Sequence, residues 1–256
     1  MVNNKKIIIV TQARIGSSRL PNKVLLNLGK KKMIEHHLDR LKKVSIADGL
    51  IVATTNEKDI KPLIDLLKEK KILFYQGSTN NVLERFYKAV LMEEPDYVVR
   101  VTSDCPLIDP ILVSEVIKFT INGDLDYGTN ILEEMFPDGQ DIEVIKFSAL
   151  KKAYKESKLK SDLEHVTPFI RRNSTYLGGE MFSSNNYSNY SNYSSIRMTV
   201  DELKDLESCE VMIQNIGNNG TWKDYANFII DKPSLFSNQQ IKRNEGLQIS
   251  LLKEKK

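Results

Sequence analysis

Cysteine is nearly absent from this chain of 256 residues: the two present, Cys105 and Cys209, are too few for a disulfide framework and lack the spacing of a metal site. A reducing compartment with both thiols as packing residues is the expectation. No apolar stretch approaches the ~18 residues that a bilayer-spanning helix needs. The N-terminal apolar run is short and leads straight into a charged loop, without the longer apolar region and small-residue cleavage site of a signal peptide, so a soluble, cytoplasmic protein is expected. Neither sign of charge dominates. The 37 Lys and Arg and 34 Asp and Glu are interspersed for a net charge of +3, which leaves no basic stripe for nucleic acid and none for a membrane surface. Gly-x-Gly occurs nowhere, so the dinucleotide fingerprint is excluded, and the Walker A pattern is missing too. No internal repeat of solenoid length is visible.

What is present is a 41% apolar content, enough to bury a substantial core, arranged as short apolar runs alternating with helix-period segments. That alternation predicts an α/β fold with a parallel sheet covered by helices. Strands are expected at Ile7 to Val10, Leu50 to Thr54, Ile72 to Tyr75 and Tyr97 to Val101. Between them, helical spacing links Met33, Ile34, His37, Leu38 and Leu41, then Ile60, Leu63, Ile64 and Leu67, then Val82, Leu83, Phe86 and Val90. A further helix is expected from Asp109-Pro110 through Phe119, with Asp109 as its cap.

Beyond it the pattern loosens, with strand-like pieces near Tyr127 to Ile131 and Ile142 to Ile145, as in an excursion from the sheet over about residues 125–195. The polar, low-complexity stretch Ser183 to Ser195 reads as a mobile loop. A strand is expected at Ile196 to Val200, a helix from Glu202 with Asp201 at its N-cap, and a helix from Trp222 to Ile230. Residues 1–232 thus form one domain, and 233–256, rich in charge and in Asn and Gln, form an appended tail.

Ligands of open α/β sheets bind at the carboxyl ends of the strands, and three chemically informative segments fall there. The first is Thr11-Gln-Ala-Arg-Ile-Gly-Ser-Ser-Arg-Leu-Pro-Asn-Lys23, where two arginines and a lysine surround Gly16, Ser17 and Ser18, a composition suited to a polyphosphate. The second is Arg100-Val-Thr-Ser-Asp-Cys-Pro-Leu-Ile-Asp-Pro110, in which Asp104 is a hard oxygen donor just past a strand, or simply a turn residue. In the third, Arg197-Met-Thr-Val-Asp-Glu202, Asp201 could bring a second carboxylate to the same cation or serve only as a cap. His36 and His37 fall on a helix whose apolar face includes His37, so both read as structural.

Together these segments resemble the cytidylyltransferase family that activates sugar acids, with CMP-Kdo and CMP-sialic acid synthetases as examples, and most of all its spore-coat polysaccharide F-type branch. That branch is also matched by Gly77-Ser-Thr-Asn-Asn-Val-Leu-Glu-Arg85, Phe136-Pro-Asp-Gly-Gln-Asp-Ile-Glu-Val144, Glu164-His-Val-Thr-Pro-Phe-Ile-Arg171 and Arg243-Asn-Glu-Gly. The resemblance implies a Rossmann-like nucleotidyltransferase sheet with an inserted dimerisation element, and transfer of CMP from CTP to an acid acceptor for surface-glycan synthesis. It implies catalytic roles for Arg14, Lys23, Asp104 and Asp201, with Mg²⁺ on Asp104 and Asp201. The nucleotide would be held by Gln12, Ala13, Arg14, Gly16, Ser17, Ser18, Arg19, Lys23, Gly77, Arg85, Thr102 and Asp104. The acceptor would meet Gln140, Asp141, His165 and Arg171, and a homodimer would form through residues 125–195. Gln12 stands where the Kdo and sialic branches usually have proline, and Thr102-Ser103-Asp104-Cys105 replaces a Gln-Gly-Asp-Glu run, departures that bear on acceptor identity. A glycosyltransferase consuming a nucleotide sugar is the alternative, although its usual Asp-x-Asp is here Thr-Ser-Asp-Cys; a non-catalytic nucleotide-binding module is another.

Overall fold

The run Ile7-Ile8-Ile9-Val10 is apolar at every position because both of its faces are covered. Ile7 and Ile9 enter one hydrophobic layer while Ile8 and Val10 enter the other, and all four are at most 2% exposed. The computed structural model describes residues 4–17, 19–241 and 243. In chain order its elements are β1 (Ile7–Gln12), a short hairpin of β2 (Asn27–Leu28) and β3 (Lys31–Lys32), α1 (Met33–Leu41), β4 (Gly49–Thr55), α2 (Lys61–Glu69), β5 (Leu73–Gly77), α3 (Val82–Val90) and β6 (Tyr97–Thr102). They continue with α4 (Pro110–Asn122), β7 (Tyr127–Thr129), β8 (Glu143–Lys146), α5 (Phe147–Glu156), α6 (Lys160–His165), α7 (Pro168–Arg172), β9 (Ser184–Asn186), α8 (Leu203–Ile216) and α9 (Trp222–Asp231).

Seven strands form one sheet in the order β5-β4-β1-β6-β8-β7-β9. The first four are parallel, β8 runs antiparallel to both β6 and β7, and β9 is parallel to β7. Helices cover both faces, so the architecture is Rossmann-like. The chain winds outward from β1 through β4 to β5, then returns to place β6 on the other side of β1. This reversal opens a crevice at the carboxyl ends of β1 and β6, where Gln12 lies opposite Thr102.

The four parallel strands lie where the hydrophobic runs put them, and Asp109 caps α4 by accepting from the N–H of Ile111 at 2.8 Å. Elsewhere the structure corrects the expectation. Ser183 to Ser195 is not a free loop: Ser184–Asn186 is an edge strand of the main sheet, and Tyr187 and Tyr193 pack against Phe136 and Trp222. Its tyrosines supply the apolar contacts that the polar composition hides. Ile196 to Val200 forms no ladder; it makes an isolated bridge from Arg197 to Asp138, because it runs alongside a loop. Asp201 is not the N-cap of α8. Glu202 is, while the Asp205 carboxylate turns back to accept from the N–H groups of Asp201 and Glu202. The expected tail also folds back, with Phe236 at 6% and Asn238 at 0% exposure. Among the described residues no helix is long and apolar enough to cross a membrane. Cys105 and Cys209 are both buried free thiols.

Candidate active site

The loop leaving β1 is pinned at its start and at its end. Ala13 donates its N–H to the carbonyl of Ala53, and both Ser17 and Asn22 donate to the carbonyl of Ile15, at 2.8 and 3.0 Å, which closes the loop tightly. A Cβ on Gly16 would stand 2.7 Å from Glu57 Oε1, so glycine lets the loop lie against that carboxylate without displacing the glutamate side chain. Arg14 and Arg19 are exposed on this loop; Ser18 lies outside the described residues. Lys23, at the loop's far end, reaches inward. Its Nζ donates to Asp104 Oδ2 at 3.1 Å, to Asp201 Oδ1 at 2.9 Å and to the carbonyl of Val200 at 2.9 Å. Arg19 Nη2 stands 3.0 Å from the other oxygen of Asp201. Two carboxylates remote in sequence thus share one cation.

The electrostatics follow from that meeting. Burial works against charge on Asp104, yet the Lys23 ammonium and a hydrogen bond from Thr102 hold its carboxyl well below the usual range. Burial likewise opposes the Lys23 charge, and the two aspartates more than compensate, raising its pKa. The Asp104 loop is fixed from behind by His37, whose Nε2 pairs with Thr11 Oγ1 at 2.9 Å and Nδ1 with the Cys105 carbonyl at 2.8 Å. Burial lowers its pKa to about 4, so the ring is neutral, donating from Nδ1 and accepting at Nε2. His36 bonds the Leu28 carbonyl at 2.7 Å, and both histidines are structural.

Arg85 lies to one side of the loop and is 2% exposed. Burial first, then the nearby Arg14, lowers its pKa to about 10, while Glu57 opposes this. It donates to the Ser78 carbonyl, and its Nε has no partner among the described residues. The methylene Cγ of Arg85 packs against Gly77, where a Cβ would come within 3.2 Å. Gln12 and Thr102 face the crevice, and the buried Gln12 Oε1 is also without a partner among the described residues.

The crevice widens into a cleft of about 220 Å³ between the parallel strands and the excursion, lined by Arg100, Asp138, Asp141, Glu143, His165, Arg171 and Arg197 as well as Asp104 and Asp201. Here cations and acids are already matched. Arg100 pairs with Glu143, which also accepts from the Tyr127 hydroxyl at 2.5 Å. Burial opposes the Glu143 charge, but Arg100 and Arg171 keep its pKa low. Arg197 is central, donating to Asp138 at 2.8 Å and to both oxygens of Asp205 at 2.8 and 2.9 Å, and reaching Asp201 at 3.3 Å. Arg243 donates to Asp141 at 2.5 Å and to the Phe136 carbonyl at 3.0 Å. Burial and the proximity of Asp141 nonetheless raise the pKa of Asp138.

Two backbone devices shape this wall. Gly139 has φ +104 and packs against backbone, since a Cβ would lie 2.8 Å from Met198 C and Thr199 N. Val166, with φ 72 and ψ −53, forms a strained γ-turn in which the Thr167 N–H bonds the His165 carbonyl at 2.8 Å. The turn places both His165 and Thr167 on the cleft. Of the four residues expected to meet the acceptor, Asp141, His165 and Arg171 line the cleft. Gln140 does not: it is fully buried, its Oε1 accepts from the Asp109 N–H at 2.9 Å and its Nε2 donates to the Leu107 carbonyl at 3.0 Å. Its amide fits a gap in buried backbone hydrogen bonding, which makes it a brace.

Sequence reasoning missed Arg100, Asp138, Glu143, Asp205 and, as site residues, Arg197 and Arg243. Apart from Arg197 and Asp205, which pair with each other eight positions apart, their partners lie far away in the chain, although each stands in or beside a motif that carried the resemblance. Among the described residues no three or more His, Cys, Asp and Glu are arranged to hold a metal. Asp104 and Asp201 provide two hard oxygen donors already gathered around a cation, which fits a divalent ion completed by phosphate oxygens and water.

A doubly wound sheet with a cationic loop and paired carboxylates at its switch point defines a nucleotidyltransferase. The profile of the family described as cytidylyltransferase matches residues 7–227, and the chain belongs to that family. It is 38% identical over 204 residues to an uncharacterised protein of Methanocaldococcus jannaschii, spanning 79% of this chain and 81% of that one. It is 28% identical over 227 residues to the spore coat polysaccharide biosynthesis protein SpsF of Bacillus subtilis, spanning 82% and 88%. Among solved structures, a cytidylyltransferase from Leptospira borgpetersenii superposes with a TM-score of 0.86 at 29% identity, over 94% of this chain and 100% of that one. A CMP:2-keto-3-deoxy-manno-octonic acid synthetase complexed with CTP shares the fold, with a TM-score of 0.61 at 16% identity, over 82% and 98%.

Proposed function

We propose that this cytidylyltransferase uses Mg²⁺ and CTP to form the CMP derivative of a sugar acid or related acid, with release of pyrophosphate, for surface polysaccharide or glycan synthesis. The observation that carries this reading is the convergence of Asp104 and Asp201 on Lys23 beside the Arg14 and Arg19 loop. The CTP held by the structural relative and the polysaccharide role of the Bacillus relative support it.

In such a transfer an acceptor oxygen bonds to the α-phosphorus as the bond to the bridging oxygen of the β-phosphate breaks. Charge neutralisation and in-line placement dominate, with no need for a covalent enzyme group. Arg14, Arg19 and Lys23 face the triphosphate and take up charge gathering on the departing pyrophosphate. Gln12, Thr102, Gly77 and Arg85 border the base and ribose, and the Gln12 amide oxygen, without a partner among the described residues, can accept from the ligand. Asp104 and Asp201 would hold a divalent ion, which would supply Lewis-acid polarisation of phosphate oxygens. Arg171 offers a planar fork to the acceptor carboxylate, and His165 and Asp141 lie on the same wall.

The partner in solution is a second copy of the chain. Support comes from β9 at the sheet edge and from Tyr176, Leu177 and Met181, exposed by 40%, 53% and 40% within the 125–195 excursion. Gel filtration at micromolar concentration should show a dimer, and a monomer alone would refute that part.

The deciding experiment measures pyrophosphate release from four nucleoside triphosphates against sugar acids and phosphonates, with and without Mg²⁺. Release with CTP, an acid and Mg²⁺ together is expected. Turnover of a nucleotide sugar without pyrophosphate release would overturn the proposal.

A further inference from the structure

Asp201 stands outside regular structure, so its position depends on what its neighbours fix. Its N–H donates to Asp205 Oδ2 at 2.9 Å, and its Oδ2 lies 3.3 Å from Arg197 Nη2. Arg197 and Asp205 are in turn held by the segment that follows α9. Gln239 Oε1 accepts from the Arg197 N–H at 2.8 Å while its Nε2 donates to the Arg197 carbonyl at 3.0 Å. This two-point clamp stands in for the ladder that residues 196–200 lack. The same Nε2 donates to Asn238 Oδ1 at 2.8 Å, and Asn238 Nδ2 donates to Asp205 Oδ1 at 2.9 Å. Asn238 is fully buried, and Phe236, edge-on to Phe228 at 5.7 Å, anchors the segment beside α9. All three residues lie beyond the span 7–227 matched by the family profile.

We infer that Asn238 and Gln239 are positioning residues for Asp201, holding its carboxylate beside Asp104 through Arg197 and Asp205. The functional consequence rests on the reading of Asp201 as a ligand of Mg²⁺. Groups that orient a metal-binding side chain without touching the metal affect affinity by roughly 10- to 100-fold when removed. The segment therefore belongs to the active site although it contributes no atom to the cleft wall.

The test uses the full chain and its Gln239→Ala, Asn238→Ala and Gln239→Glu variants, with two readouts. The first needs no ligand: the rate at which acetic anhydride acetylates Lys23, followed by mass spectrometry against Lys6 at the other end of β1. With Asp201 displaced, Lys23 loses one of its two carboxylate partners, and its acetylation is expected to accelerate several-fold while that of Lys6 stays constant. The second readout is CTP affinity by calorimetry with and without Mg²⁺. The gain that Mg²⁺ confers is expected to fall by about tenfold or more in the alanine variants, with CTP binding alone unchanged. Gln239→Glu, which keeps the acceptor toward the Arg197 N–H but sets a carboxylate oxygen against the Arg197 carbonyl and Asn238 Oδ1, is expected to lose the clamp as the alanine variant does. Unaltered Lys23 reactivity, or parallel acceleration at Lys6 from a loosened fold, overturns the inference. If the parent chain shows no Mg²⁺-dependent gain, the metal reading fails, and the acetylation result still decides whether the segment positions Asp201.

Discussion

In the half of the cleft proposed for the nucleotide, Arg14 and Arg19 stand exposed on the loop that ends at Lys23. In the half proposed for the acceptor, Arg100, Arg197 and Arg243 are largely buried against carboxylates 43, 59 and 102 positions away. An exposed cation can turn toward a polyphosphate at small cost, since its pairing in water is weak. A buried pair cannot part without leaving an uncompensated charge, so the second set of arginines shapes a surface while the first is available to a ligand. Lys23 joins the two arrangements, because it leaves the exposed loop and ends between two carboxylates.

The largest effect should come from breaking the buried set. Arg197→Met leaves Asp138 and Asp205 without their central cation and should lower stability by about 3–5 kcal/mol in urea unfolding. Arg19→Met, whose pair with Asp201 is partly exposed, should cost less than about 1 kcal/mol. Equal losses would abolish the distinction between the halves.

Next, Lys23→Ala or Asp104→Asn should reduce pyrophosphate release by roughly 100- to 1000-fold with the fold preserved by circular dichroism, as for other lost charge-stabilising groups. Activity near that of the parent would remove the nucleotide half from the chemistry.

His37, which ties β1 to the Asp104 loop, gives a pH signature. The unfolded imidazole takes up a proton near its ordinary value of 6.5, whereas burial delays protonation in the fold to about 4. Stability should therefore fall as pH drops between those values, by about 3 kcal/mol in total. Urea unfolding at several pH values should show this slope, and His37→Gln should flatten it.

The smallest effect separates binding from bracing within the acceptor half. Arg171→Ala should raise the acceptor KM roughly 10- to 100-fold and leave that for CTP in place. Gln140→Ala should change neither KM while lowering stability by about 1–3 kcal/mol, because it strands the Asp109 N–H and the Leu107 carbonyl.

The parallel half of the fold was legible in the sequence because its inner strands β1, β4 and β6 are buried along most of their length and, with the edge strand β5, read as apolar runs. The Gly16 loop was legible because its cations lie close together. The excursion was harder to read. Ser184–Asn186 carries no apolar signal, yet it pairs with β7 because the sheet edge offers backbone partners to any extended segment. Asp201 looked like a cap because it precedes a helix, and the side chain of Asp205 decided otherwise. Gln140 stood inside the right motif but turned inward, since the buried Asp109 N–H and Leu107 carbonyl required partners.

By itself the sequence determined the helix-covered parallel sheet, the cationic loop after β1 and the candidacy of Asp104 and Asp201, all of which follow from local patterns of burial and charge. Tertiary structure alone decided that the two aspartates meet at Lys23, that Arg243 pairs with Asp141, and that residues 236–239 brace the site. Each of these depends on an ion pair or hydrogen bond between segments tens to hundreds of residues apart. Side-chain chemistry permits many such pairings, and only the packed fold, by excluding water and leaving no buried charge without a partner, selects among them.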